Sequence, residues 1–151
     1  IDMSTQQFQG TVEMLDNVDV KGTIREYREG TRTVSADGSL VSADSGKAIF
    51  VDGSSTGVDI TLPAPAAGLH YKFWVKDASN ECTVVTASSA NIIVGSIRAA
   101  TNATNDADGD KITITTSAVI GDHFVLSCDG TNWYVTGWCN ANGGVTLTKA
   151  S

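Results

Sequence analysis

Apolar and polar residues alternate with a period of two along the chain from about residue 33 onward, and no helical period replaces this alternation. Such alternation is typical of strands that bury one face. The pattern predicts strands at Lys47–Val51, Val58–Leu62, His70–Val75, Cys82–Ala87, Ile92–Val94, Lys111–Thr116, His123–Cys128, Asn132–Gly137 and Val145–Thr148. Many short strands at this spacing predict an all-β fold, either an antiparallel β-sandwich or a jelly-roll-like domain.

Turn residues separate the predicted strands. Asp-Gly pairs stand at Asp37-Gly38, Asp52-Gly53, Asp108-Gly109 and Asp129-Gly130. Glycine in such a pair supplies the positive φ that a two-residue hairpin turn requires. Because Asp129-Gly130 lies between the apolar runs FVLSC and NWYV, the sequence predicts a β-hairpin at this position.

The first 34 residues follow a different pattern. Their apolar side chains are spread thinly and keep no single period, and a segment of this kind cannot bury enough apolar surface to form its own core. We therefore predict an extended N-terminal arm over residues 1–34 and a β-sandwich domain over residues 35–151. The arm is expected to become ordered against a neighbouring molecule through Phe8, Val12, Met14, Leu15, Arg25, Tyr27 and Arg28.

Charge and hydropathy narrow the range of partners. The formal net charge is −7, which disfavours nucleic-acid binding because phosphate contact requires clustered Lys and Arg. No stretch approaches the ~18 consecutive apolar residues of a membrane span. Residues 1–20 contain scattered acids and no apolar run, so a signal peptide is not expected there. The sequence thus predicts a chain that binds neither nucleic acid nor membrane.

The chain contains three cysteines, Cys82, Cys128 and Cys139, at wide spacing and without a C-x-x-C pair. A zinc site is therefore not expected. Each cysteine falls in a strand-like apolar run, which predicts small buried thiols. The spacing also leaves one disulfide open as an alternative and does not indicate its partners.

Three features of the sequence contain residue types that catalytic or metal-binding sites use. Gly53–Gly57 (GSSTG) matches the nucleophile-elbow pattern, but a strand follows it instead of the required helix, so a hairpin loop is predicted. The acidic stretch Asn105–Asp110 lacks the Gly and Glu positions of an EF-hand, which favours a solvated turn over a looser calcium loop. No acid near His70 or His123 implies a catalytic dyad. We therefore expect no enzyme, no cofactor and no metal.

Five aromatic residues are candidates for the core or for surface recognition, namely Tyr71, Trp74, Trp133, Tyr134 and Trp138. Trp74 and Trp133 are predicted to lie in the core. By strand parity, Tyr134 points away from the face that Trp133 occupies. Tyr134 and Trp138 are therefore candidates for surface recognition, either of a protein neighbour or of a glycan.

Two stretches resemble a theme of tailed-phage virion proteins. The first is Ile60–Ala64 (ITLPA) followed by Ala67–Phe73 (AGLHYKF), and the second is Gly121–Leu126 (GDHFVL) followed by Asp129–Gly137 (DGTNWYVTG). The resemblance covers roughly residues 33–140. Similar modules occur in capsid decoration (cement) proteins and in fibres or spikes.

The resemblance implies a structural protein of the virion. Because the chain is short and begins with a weakly patterned arm, we expect a decoration protein that binds the major capsid protein on the outer surface of the capsid. We also expect it to associate with itself as a dimer or trimer. The alternative is a tail fibre or spike module that binds a receptor or a glycan.

Overall fold

The computed structural model describes residues 28–88, 90–100 and 103–149, and nearly all of the regular secondary structure in this part of the chain is strand. The strands are β1 (Thr31–Val34), β2 (Gly38–Ser39), β3 (Ala48–Asp52), β4 (Asp59–Thr61), β5 (His70–Asp77), β6 (Cys82–Val85), β7 (Ile93–Arg98), β8 (Ala103–Gly109), β9 (Lys111–Ile114), β10 (His123–Cys128), β11 (Trp133–Trp138) and β12 (Val145–Thr148). A 3₁₀ turn at Ser42–Asp44 is the one helical element of the described ranges, in which no helix could cross a membrane.

Two sheets pack face to face around one core, which confirms the expected β-sandwich. The larger sheet has seven strands in the order β1-β3-β5-β10-β11-β7-β8. The smaller sheet has five strands in the order β12-β9-β6-β4-β2. Every strand run that the alternation predicts overlaps a strand of the structure, whereas β1, β2 and β8 were not predicted.

The sheets are mixed, whereas the sequence predicted antiparallel pairing. Five of the ten described pairings are parallel. The physical reason is that successive strands from β1 to β6 alternate between the two sheets, so each strand pairs with the one two positions earlier and runs in the same direction. A connection that crosses the sandwich does not reverse the chain within one sheet.

This alternation also explains the Asp-Gly pairs. Asp129-Gly130 joins β10 to β11 in an antiparallel hairpin, with Gly130 at φ 103°, as predicted. Asp37-Gly38 and Asp52-Gly53 instead stand where the chain passes from one sheet to the other, and Asp108-Gly109 ends β8. The predicted hairpin loop at GSSTG is likewise wrong, because this loop connects β3 and β4 of different sheets.

The acidic stretch near residue 105 is an edge strand instead of the expected turn. β8 pairs with β7, and the chain continues through backbone hydrogen bonds from Asp110 N to Thr148 O and from Thr86 N to Asp110 O, each 3.0 Å long. Asp and Asn disfavour strands, yet this preference is weak beside a full set of backbone partners. Backbone pairing thus decided the structure of this stretch.

Aromatic pairs stand at the centre of the core. Phe73 and Phe124 stack with ring centroids 4.8 Å apart, and Tyr71 contacts Trp133 at 5.8 Å. The side chains that are at most 1% exposed include Tyr71, Phe73, Phe124, Trp133, Ile49, Ile60, Ile93 and Ile112. All three cysteines are free and buried, as predicted, and burial raises the pKa of two of them, Cys82 and Cys139.

The predicted arm is only partly described. The predicted boundary after residue 34 assigns Thr31–Val34 to the arm, whereas the structure pairs these residues with β3 as strand β1 of the larger sheet. Arg28 is exposed and lies just before β1. The other predicted contact residues, Phe8, Val12, Met14, Leu15, Arg25 and Tyr27, lie outside the described residues.

A buried carboxylate ties the first strands together. Asp44 is 4% exposed and accepts hydrogen bonds from Arg32 of β1, from Lys47 Nζ at 2.9 Å and from the Val41 backbone N–H at 3.2 Å. Burial alone would raise the pKa of Asp44, but the bonds from Lys47, Val41 and Arg32 outweigh it and hold this pKa below 3.8. The ionised carboxylate therefore stabilises the fold.

We expect Asp44→Asn to lower the free energy of unfolding by about 2 kcal/mol at neutral pH, since charged hydrogen bonds are lost. Because the folded pKa of Asp44 is the lower one, its contribution is complete above 3.8 and is lost as pH falls through the folded pKa. Urea unfolding across this acidic range should show the two proteins converging. Glu81→Gln, at an exposed carboxylate, is the control. A difference in the free energy of unfolding between Asp44→Asn and the unmodified protein that stays the same at every pH would contradict this account.

Candidate interaction surface

Four aromatic side chains form a row across the solvent-facing side of the seven-stranded sheet, here called the outer face. Strand register places Phe50 beside Trp74, Trp74 beside His123, and His123 beside Trp138. Neighbouring strands lie about 4.8 Å apart, so these four residues, the aromatic row, extend about 14 Å across the sheet. Arg98 of β7 continues the row beyond Trp138.

Contacts within the sheet hold the middle of the row. The rings of Trp74 and His123 stack with centroids 4.6 Å apart and planes 30° apart. His123 Nδ1 lies 3.2 Å from the carbonyl oxygen of Gly121 in the preceding loop. Trp138 at the end of the row remains 45% exposed. The row thus combines fixed rings with a large apolar side chain open to solvent.

Tyr134 adds a second exposed ring on β11. It is 49% exposed, and its hydroxyl donates to Asp129 Oδ2 at 3.0 Å. Backbone N–H groups of Asn132 and Thr131, followed by this hydroxyl, hold the pKa of Asp129 below its usual value, and the same carboxylate raises the pKa of Tyr134. The hairpin turn therefore fixes the tip of the ring while its faces stay accessible.

The structure confirms the predicted positions of three aromatic residues and contradicts that of a fourth. Trp133 is 1% exposed in the core, whereas Tyr134 and Trp138 are exposed, as strand parity predicted. The prediction that Trp74 belongs to the core was wrong. Tyr71 and Phe73 take inward positions of β5, which turns Trp74 to the outer face.

The histidines occupy structural positions on the same face. His70 Nδ1 lies 3.0 Å from Ser127 Oγ on the neighbouring strand. Asp122 is 1% exposed and accepts hydrogen bonds from the backbone N–H groups of Val119 and Asn140, so its carboxylate is directed away from the outer face. The side chains of Asp122 and His123 therefore point to opposite faces of the sheet, as consecutive residues of an extended chain do.

The remaining sequence candidates do not assemble into a chemical site in the described residues. Ser55 of the GSSTG loop is exposed, and β4 follows it without a helix. No three His, Cys, Asp or Glu side chains lie together there in a way that could hold a metal ion. Asp110 is 5% exposed, and its Oδ1 has no hydrogen-bond partner.

The opposite side of the sandwich has a different chemistry. Register aligns Thr83, Thr113 and Thr146 across the outward side of the five-stranded sheet, with Asp59 beside Thr83. These side chains are short and polar; Thr83 and Thr146 are half-buried, and Thr113 between them is 8% exposed. Aromatic area is therefore concentrated on one side of the sandwich.

Sequence reasoning identified Trp138 and Tyr134 but missed Phe50, Trp74 and His123 as members of one surface. Consecutive residues of a strand point to opposite faces of a sheet. This rule could have placed Phe50 opposite Ile49 on β3, and Trp74 opposite Phe73 on β5. Their alignment depends on which strands are neighbours and in what register, and no local pattern carries that information.

The two tryptophans of β11 should respond very differently to truncation. We expect Trp133→Ala to lower the free energy of unfolding by about 3–5 kcal/mol, because it leaves a large cavity in the core. Trp138→Ala should change it by no more than about 1 kcal/mol, because this side chain packs little on its own chain. Urea denaturation measures both, and similar losses would contradict the assignment of Trp138 to an open surface.

Comparison with known proteins assigns no family to this chain. No family model matches it, and no curated protein is similar to it at a significant level. Its function is therefore inferred from the chemistry of its surface.

Proposed function

We propose that this protein is a capsid decoration protein that binds the outer surface of a viral shell and stabilises the junctions between major capsid proteins. It acts as a structural subunit in an oligomer, either a dimer or a trimer, and contributes binding surface instead of a reaction. The single observation that supports this most is the aromatic row on the outer face, with Trp138 45% exposed at its end.

The row has the composition of a protein-binding surface. Tryptophan, tyrosine and arginine dominate the energetics of protein interfaces, and charged residues other than arginine are depleted at their centres. Trp138, Tyr134 and Arg98 all face outward on the adjacent strands β11 and β7. Strand pairing already orders the backbone that carries these side chains, so little backbone entropy is lost when a partner binds.

The segments that resemble virion proteins contribute directly to this surface. Ala67–Phe73 leads into β5, and Gly121–Leu126 leads into β10, which pairs with β5 along its length. Asp129–Gly137 forms the hairpin turn and most of β11. Ile60–Ala64 begins in β4 of the five-stranded sheet, whereas the other motif segments make the centre of the seven-stranded sheet, and Trp74, His123 and Trp138 belong to the strands of these segments.

The stabilising action is physical. Each copy adds apolar and hydrogen-bonding contacts across the seams of the shell, which oppose the outward pressure of packed DNA. Symmetric assembly links several modest contacts, so the second and third contacts form at high effective concentration. An oligomer of this kind stays bound although a single contact is weak.

Capsid shells of the same virus, prepared without this protein, provide the test. We expect the full chain to co-sediment with the shells in a saturable manner and to raise the temperature at which they disrupt. Failure to be retained at any protein concentration would exclude the decoration function.

The aromatic surface is tested with the same shells. We expect the double variant Tyr134→Ala with Trp138→Ala to bind at least about 10-fold more weakly, as for loss of a hot spot. Val41→Ala is the matched control, because Val41 is 54% exposed and lies in the loop between β2 and the 3₁₀ turn. Equal weakening of shell binding by Val41→Ala would show that this binding does not depend on the aromatic surface.

A second function is favoured by the same exposed rings. Tyr134 and Trp138 present open faces on one strand, and aromatic faces with nearby polar groups also bind sugars. A tail fibre or spike module would use them for a receptor glycan. Glycan arrays separate the two functions, since saturable sugar binding without shell retention favours the fibre module.

A further inference from the structure

An open groove lies at the end of the sandwich where β5 ends and β10 begins, here called the end groove. The loop after β5 and the loop between β9 and β10 form its walls, and its volume is about 540 Å³. Its apolar lining comes from Ala78, Ala118, Val119 and Ile120, and its polar lining includes Asp77 and Thr116. None of these residues belongs to the aromatic row.

The loop between β9 and β10 holds two aliphatic side chains out in solvent beside the groove. Val119 is 42% exposed and Ile120 is 79% exposed. Single exposed apolar residues are ordinary on a protein surface, whereas contiguous apolar surface marks sites of interaction. Here the two exposed side chains also line the groove, so they and its walls form one apolar surface.

Hydrogen bonds fix the loop in this conformation. The Val119 N–H donates to Asp122 Oδ2, and the Asp122 N–H donates to the Val119 carbonyl oxygen, each at 3.0 Å. The Gly121 N–H donates to the carbonyl oxygen of Val75 on β5, also at 3.0 Å. Asp122 is 1% exposed, so these bonds anchor the loop in the body of the sandwich. The side chain of Ile120 is therefore presented on an ordered backbone, and little ordering remains for binding.

The charge around the groove is negative. Its two loops contain Asp77, Glu81 and Asp122 but no Lys or Arg. The neighbouring base, Lys76, is paired with Asp52 at 2.7 Å, and the ion pairs within the described ranges do not include Asp77. A ligand that complements this groove is therefore both aliphatic and basic.

We propose that the end groove binds a segment of the major capsid protein in which a Lys or Arg stands next to aliphatic side chains. The aliphatic side chains pack on Val119 and Ile120, and the cation faces Asp77. This inference rests on the proposed function, because it takes the shell as the source of the segment. A protein that stabilises a junction has to contact subunits on both sides of it. The end groove supplies a contact separate from the outer face and with a different chemistry.

A peptide titration of the isotope-labelled full chain, followed by NMR, tests the ligand chemistry without a shell. The probe is acetyl-Ala-Leu-Arg-Leu-Ala-amide, and the control peptide has Gln in place of Arg. We expect the Arg peptide to shift the amide signals of residues 77–81 and 116–121. It should bind about 2–5-fold more tightly than the Gln peptide, as for one exposed ion pair. Equal binding of the two peptides, or no shifts at these residues, would overturn the proposal.

Two substitutions separate the charge from the apolar contact. Asp77→Asn removes the charge but keeps a side-chain oxygen for the Ser79 N–H, which lies 2.8 Å from Asp77 Oδ1. We expect this variant to bind the Arg peptide no better than the Gln peptide. Ile120→Ala should weaken both peptides by about 5-fold, because apolar burial is lost. Val41→Ala, at an exposed aliphatic side chain of another loop, is the matched control. Weakening by Val41→Ala as large as that by Ile120→Ala would contradict the assignment of the site.

Shells prepared without the protein identify the source of the segment. We expect Ile120→Ala to bind them about 5-fold more weakly than Val41→Ala does. If the unmodified chain is retained and Ile120→Ala is retained equally well, this inference fails while the proposed function stands. If the unmodified chain is not retained, the proposed function fails and the shell is not the source, whereas the peptide titration still decides the chemistry of the groove.

A second copy of the chain is the competing occupant of the groove. Sedimentation equilibrium without shells separates the two cases. We expect Ile120→Ala to leave self-association unchanged. Weaker self-association of this variant than of Val41→Ala would assign the groove to a neighbouring copy and overturn the proposal.

Discussion

The stacking of Phe73 on Phe124 is the contact on which the rest of the structure depends. It places two large rings, 4.8 Å apart, directly opposite each other on β5 and β10, at the centre of the seven-stranded sheet. Side chains alternate between the faces of a strand, so a slip of one residue would exchange inside and outside. The core pair therefore sets the register of every side chain that these two strands show to solvent.

The aromatic row is a direct consequence of that register. With Phe73 and Phe124 inside, Trp74, one residue after Phe73, and His123, one residue before Phe124, must face outward, where their rings stack at 4.6 Å. The β10–β11 hairpin then brings Trp138 beside His123. Trp138 is left 45% exposed at the end of this row. The same packing that stabilises the sandwich thus produces the surface that suits a partner.

The two outward sides of the sandwich differ in the side chains that they carry. The outer face combines bases with rings, while the outward side of the five-stranded sheet aligns threonines such as Thr83, Thr113 and Thr146. A decoration protein must bind on one side and remain solvated on the other, and this asymmetry fits that requirement. Buried ionic contacts at Asp44 keep β1, the strand nearest the N-terminal segment, attached to the body.

The alternation of residue types by itself determined that the chain is all-β, where most strands lie, and that Trp133 is buried while Tyr134 is exposed. These features depend on local periodicity and on the turn at Asp129-Gly130. Only the tertiary structure decided the mixed pairing, the strand character of the acidic stretch at Ala103–Gly109, and the outward position of Trp74. Each of these depends on which distant strand supplies the backbone partners, and hydrogen-bond partners far apart in the chain leave no periodic trace in the sequence.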